Sequence, residues 1–148
     1  MYTSPWLTRS ITVFGQPNSL NVSVSQLLEQ REIRDAILIP RAERIILSDD
    51  ESGFKRHLLS PAFPSKGIEF ILNVLPPRQS TGIFPAHKKH VKEYVYVSKG
   101  SLTVTLDETY RYNLDEGDSF YFEANVDHRF DNRQDTTCEY FLIIDAKG

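Results

Sequence analysis

Gly82-Ile-Phe-Pro-Ala-His87-Lys-Lys-His90-Val-Lys-Glu93 and Gly117-Asp-Ser-Phe-Tyr-Phe-Glu-Ala-Asn-Val-Asp-His128-Arg-Phe-Asp-Asn132 are the stretches whose reading decides the fold of this chain. Between them lie the strand-like Tyr94–Lys99, Gly100 and hairpin-forming sequence. Histidine occurs only four times in 148 residues, and three of the four, His87, His90 and His128, fall in these two stretches. That concentration makes them two halves of one metal or ligand site.

The strand after Glu93 supplies the chemical constraint. Glu93, Val95 and Val97 share one face of it, and Tyr94 and Tyr96 share the other. If the valines face an apolar interior, Glu93 does too. A carboxylate there costs several kcal/mol even after relaxation. It needs a metal, a cation, dense hydrogen bonding or a proton. His87, Glu93 and His128 would make a two-histidine, one-carboxylate set suited to Fe(II), Mn or Zn. Lys89 could instead pair with Glu93 or hold an anionic effector. The loop also carries Lys88 and Lys92 and equally reads as solvated. His57, inside Phe54–Leu59, reads as a surface strand residue, and Phe120, Tyr121 and Phe122 read as core.

Outward from this region the chain reads as short strands and turns. Ile68, Phe70, Leu72 and Val74 alternate with Glu69, Ile71 and Asn73 until Pro76-Pro77 stops the strand. Ser101–Leu106 and Thr109–Leu114 form a hairpin through Asp107-Glu108. Asp115-Glu-Gly-Asp118 is a turn in which Gly117 takes positive φ. Ser119–Phe122, His128–Asn132 and Cys138–Asp145 follow as strands, and Ile11–Phe14 reads as a strand or as part of an unstructured arm. Ser23-Val-Ser-Gln26 fits a capping box. Val24, Leu27 and Leu28 then share a face, which predicts a short helix through about Arg34.

The spacing of the two stretches resembles the motifs of the cupin superfamily, roughly G-x5-H-x-H-x3–4-E-x6-G and G-x5-P-x-G-x2-H-x3-N. Glu93 and Gly100 keep the first spacing, and Gly117, His128 and Asn132 keep the second. Glu123 stands at the proline position, Asn125 at the second glycine, and Lys89 at the second histidine, with His90 one place late. The resemblance implies an all-β double-stranded β-helix, the jelly roll, over residues 41–148. One divalent metal (Zn, Fe, Mn or Ni) or a small molecule would sit at its centre. Glu93 and His128 would anchor that site, with His87 as third ligand and His90 as the alternative. Lys89 puts a cation where the family's further ligand belongs.

Composition limits the remaining choices. One domain's length and 40% hydrophobic residues suit a globular chain with a real core. No apolar run approaches the ~18 residues of a membrane span, and no secretory signal is evident, so a cytoplasmic protein is expected. The single Cys138 reads as a buried thiol. Residues 1–100 carry 13 Lys/Arg and 9 Asp/Glu, and residues 101–148 carry 4 and 11. Neither half is basic enough to grip nucleic acid on charge alone.

Residues 19–29, Ser-Leu-Asn-Val-Ser-Val-Ser-Gln-Leu-Leu-Glu, resemble the closing helix of the helix-turn-helix domain in xenobiotic-response-element-type (XRE) regulators. Residues 1–40 would then be an arm and helix, a remnant of that domain, whose recognition helix would lie upstream of Met1. The resemblance implies a regulatory, ligand-sensing cupin with a small-molecule effector, forming a homodimer. It also implies no specific DNA binding by this chain alone, because readout requires a helix or ribbon in a groove. The second functional class is a small metal-dependent cupin enzyme, a dioxygenase or isomerase. No catalytic residue is assigned.

Overall fold

The side-chain alternation of three long strands lays down the interior. In β6 (Lys92–Lys99), Glu93, Val95 and Val97 are buried while Tyr94 and Tyr96 are exposed. In β11 (Cys138–Asp145), Cys138, Tyr140, Leu142 and Ile144 are buried. In β4 (Ile68–Leu75) the buried set is Ile71, Asn73 and Leu75. The apolar alternate residues Phe70, Leu72 and Val74 therefore belong to the outer face. That face is partly covered from within, since the Phe70 and Phe141 rings stack at 5.9 Å.

The computed structural model describes residues 11–14, 36–61 and 67–147. Before β4 come β1 (Ile11–Phe14), a 3-10 turn at Arg41–Glu43, β2 (Ile46–Asp49) and β3 (Lys55–Leu58). β5 (Ser80–Phe84) precedes β6. β7 (Leu102–Leu106), β8 (Tyr110–Leu114), β9 (Ser119–Glu123) and β10 (His128–Asp131) lie between β6 and β11. The strands form two antiparallel sheets, one ordered β1-β2-β3-β4-β11-β6-β9 and the other β5-β10-β7-β8. Their inner faces share one core, which includes Phe54, Ile71, Val97, Val104, Phe130 and Leu142. This is the β-barrel-like jelly roll expected from the motif spacing. The helix expected near residues 19–34, with its capping box, lies outside the described residues. Among the described residues, no helix is long and apolar enough to cross a membrane.

Three local readings change. Tyr121, read with Phe120 and Phe122 as core, is 48% exposed on the outer face, paired with Tyr94. The β7–β8 hairpin pairs Leu106 with Tyr110, so its connection has one residue more than Asp107-Glu108. Those two residues both hold φ of 53°, which carries the reversal. His57 is half-buried rather than on the open surface, because β3 lies inside the larger sheet between β2 and β4. Burial, with Arg44, Lys55 and Arg41 nearby, lowers its pKa.

Asn132 closes the end of the barrel away from Glu93. Its buried side-chain amide donates to the carbonyls of Leu75, Pro76 and Thr136 at 3.0, 3.1 and 2.8 Å, and its Oδ1 accepts from the Gln134 amide. The motif's last position is thus a structural clamp between β4 and the turn after β10.

Two glycines hold positive φ for different reasons. At Gly100 (φ +81°) a Cβ would meet the Thr137 carbonyl oxygen at 2.9 Å, whereas at Gly117 (φ +90°) nothing lies within 4 Å. Gly117→Ala should cost only backbone strain, about 1–3 kcal/mol. Gly100→Ala should cost more, because β11 must also shift. Paired urea denaturations check this, and equal midpoints for the two variants would contradict it.

Candidate metal and ligand site

Glu93 enters the interior because it continues the inward face of Val95 and Val97. Register places it opposite Ile144 of β11 and Phe122 of β9. His128 begins β10 on the facing sheet, where rings surround it. Phe84 stacks on it at 5.6 Å, and Phe122 and His87 lie at 5.2 Å. His87 comes from the loop after β5, pinned by two bonds to the segment before His128. Its backbone amide donates to the Ala124 carbonyl at 2.8 Å, and the Ala86 amide donates to Asp127 Oδ1 at 2.9 Å. These ties turn the His87 ring inward.

The three side chains converge on one atom. Glu93 Oε2 lies 3.1 Å from His87 Nε2 and 3.1 Å from His128 Nε2. The three side chains are 2%, 5% and 1% exposed respectively, so water screens little of the interaction. His128 Nδ1 lies 2.9 Å from the Val126 carbonyl, and a carbonyl only accepts, so Nδ1 carries a proton. For both Nε2 contacts to be hydrogen bonds, each Nε2 must also carry one, which makes His128 an imidazolium. The same contacts set the direction of both groups' pKa shifts. Burial alone would raise Glu93, but hydrogen bonds from His128 and His87, and their charge, outweigh it and lower its pKa to about 2. Burial would lower His128, but the Glu93 carboxylate and the Val126 carbonyl turn the shift upward.

The same geometry suits a metal ion. The candidate ligand atoms of His87, Glu93 and His128 all lie within 4.8 Å of one another. Ligand bonds of roughly 2.0–2.2 Å place neighbouring donors on one ion about 3 Å apart. His128 already shows the second hydrogen bond that holds a ligating imidazole in its tautomer. Loss of the two Nε2 protons would leave three lone-pair donors facing one point.

The other two expected residues are elsewhere. Lys89 is exposed on the loop. His90 is exposed, with Nε2 3.1 Å from the Ala146 carbonyl. Neither joins the cluster, since the loop ties leave only His87 turned inward. Two further charged residues lie near it. Glu69 of β4 is in the same cross-strand row as Ile144 and Glu93. Burial raises its pKa, Arg56 opposes that, and Glu93 adds to it. Arg56 of β3 is buried. Its sequence signal is its place two residues from both Phe54 and Leu58, on the inward face of the strand.

The Cupin domain family matches residues 72–144, which run from β4 through β11 and contain all three clustered side chains. The chain carries a cupin domain. Its fold is similar to that of an HTH_3 family transcriptional regulator from Vibrio cholerae (20% identity, TM-score 0.61), over 68% of this chain and 56% of that one. It is also similar to the Cupin_2 domain of an XRE family transcriptional regulator from Enterobacter cloacae (18%, TM-score 0.59), over 64% and 98%. A third similar structure is Fe(II)-HppE with an alternative substrate (14%, TM-score 0.61), over 85% and 77%. At these identities the likeness is one of fold. No curated protein matches the sequence.

The coupled cluster fixes a pH signature for the cupin domain freed of metal. Glu93 is depressed from 4.5 to about 2, so its stabilisation is present above pH 4.5 and is lost as pH falls through about 2. That shift corresponds to on the order of 3 kcal/mol. His128 is raised above 6.5, so its share is present below pH 6.5 and is lost as pH rises through the folded value. Chelator-treated protein should be most stable between those limits, and Glu93→Gln should flatten both slopes. Denaturation from pH 3 to pH 9 tests this, and identical profiles for the two proteins would refute it.

Proposed function

We propose that this cupin domain is the ligand-sensing part of an XRE-type regulator, with a divalent metal held by His87, Glu93 and His128 and a small-molecule effector beside it. The observation that carries this reading is the single carboxylate oxygen 3.1 Å from two imidazole nitrogens inside the barrel. The donor set suits Zn, Fe(II), Mn or Ni and leaves positions for an effector. The fold match to the regulator domain from Enterobacter cloacae, nearly complete over that domain, supports the regulatory reading. The Vibrio cholerae regulator extends well beyond the matched part, so DNA readout would belong to a segment outside the cupin. Specific operator recognition is not expected of the cupin domain alone, since among its described residues the one helical element is the 3-10 turn Arg41–Glu43.

A second reading is a small metal-dependent enzyme of the dioxygenase or isomerase class. It is favoured by the same donor set, which non-haem Fe(II) oxygenases use with open positions. Dioxygen uptake by the Fe(II)-loaded protein with added small-molecule substrates would decide for it.

Metal titration tests the first reading. Wild type should bind one divalent ion, with affinity falling as pH drops through about 6–7, because ligation requires neutral imidazoles. The raised pKa of His128 should extend that competition upward. His128→Ala should abolish uptake, while Lys89→Ala should leave it unchanged. Absence of Zn, Fe, Mn and Ni binding by wild type would end the metal reading.

The outer face of the larger sheet fits a homodimer. Phe70, Ile143, Tyr94 and Tyr121 lie in one cross-strand row, 39%, 36%, 42% and 48% exposed. Such a contiguous apolar row is a natural surface for a second copy. Wild type should sediment as a dimer at micromolar concentration, and Tyr94→Arg as a monomer. A monomeric wild type would refute the pairing.

A further inference from the structure

His57 lies among the apolar side chains on the outer face of the larger sheet. Ile46, His57, Leu72, Phe141 and Tyr96 form one cross-strand row through β2, β3, β4, β11 and β6. It runs beside the row of Phe70, Ile143, Tyr94 and Tyr121, and the stacked rings of Phe70 and Phe141 join the two. The row on its other side is Lys55, Val74, Glu139 and Lys99. Charges of both signs along one border of an apolar patch suit a twofold contact, because a second copy can set its Glu139 against Lys55.

The imidazole sits where a proton is poorly received. Its Nδ1 is buried and, among the described residues, has no hydrogen-bond partner. A neutral ring tolerates this with its proton on Nε2. An imidazolium does not, since Nδ1 would then carry an N–H that nothing accepts. The surrounding charges push the same way. Burial lowers the His57 pKa, Arg44 before β2, Lys55 on its own strand and Arg41 of the 3-10 turn add to that, and Glu139 of β11 opposes. The β4 residues beside it, Leu72 and Val74, carry no charge. A second copy laid over this face would strip water from the part of the ring still exposed. That penalises the charged ring further and the neutral one much less.

We propose that His57 makes pairing through this face proton-sensitive: two copies stay together while the imidazole is neutral and separate when it is protonated. This rests on the homodimer reading above and adds its regulation. The pair binds protons less well than the single chain. Pairing is therefore fully present above the single-chain pKa of His57 and is lost as pH falls below it. Both copies carry the ring, so below that point each further pH unit weakens pairing by up to about a hundredfold.

Sedimentation equilibrium of the chelator-treated full chain at pH 7.5 and at pH 5 tests this, with His57→Gln alongside. The dimer dissociation constant of wild type should rise about tenfold or more at the lower pH, and that of His57→Gln should stay within about threefold. If His57→Gln does not fold, NMR titration of the His57 ring in wild type and in Tyr94→Arg decides the matter. Its pKa should be lower in the dimeric wild type than in the monomeric variant. Equal pKa values, a wild-type dimer indifferent to pH, or equal weakening of His57→Gln would each overturn the proposal while leaving the pairing intact. A wild type already monomeric at pH 7.5 would overturn the pairing and this proposal together, so the two failures are told apart.

Discussion

A carboxylate sealed from water sets the terms for the rest of this barrel. The alternation of β6 turns Glu93 inward with Val95 and Val97, and an uncompensated charge there would cost several kcal/mol. The two histidines that meet it come from opposite ends of the domain's topology, one on a loop and one on the facing sheet. Their convergence explains otherwise unremarkable contacts. The amide bonds at Ala86 and His87 aim one ring, and the Val126 carbonyl fixes the tautomer of the other. A metal ion would take over the same task by replacing protons with a larger positive charge.

Much of this was legible in the sequence, and the limits have physical causes. Strand period placed Glu93 inside, and motif spacing paired it with His128, because both are local properties of extended chain. Choosing His87 over His90 and Lys89 was different. It depends on how the loop is tied to residues 124–127, which no local pattern encodes. The role of Asn132 was hidden likewise, since two of its acceptor carbonyls belong to Leu75 and Pro76, far back along the chain. Arg56 was visible as a cation flanked two residues away by Phe54 and Leu58, but an inward-facing arginine on a short strand was not read from the sequence, which treated its neighbour His57 as a surface residue. The short helix near residues 19–34 falls outside the described residues.

The larger sheet has two contrasting sides. Its inner side carries charge and hydrogen-bonding groups at defined rows, separated by rows such as Ile71, Leu142 and Val95. Its outer side carries rings and aliphatic groups in the cross-strand row of Phe70, Ile143, Tyr94 and Tyr121. The interior is still mainly apolar, with its polar groups confined to single rows, while the exposed rings of the outer row would suit contact with another surface.

The position of β11 has a consequence for how such a molecule comes into being. It is the last strand in the described chain, yet it occupies the middle of the larger sheet, between β4 and β6 along nearly its full length. On a ribosome, β4 and β6 would emerge with an open slot between them, and β6 would present Glu93 before the strand beside it existed. The sheet can close only after residues 138–145 have been made. Contacts of such long sequence separation form slowly. Until then the nascent chain exposes unpaired strand edges and apolar side chains, the state in which β proteins are most exposed to aggregation and most dependent on chaperones.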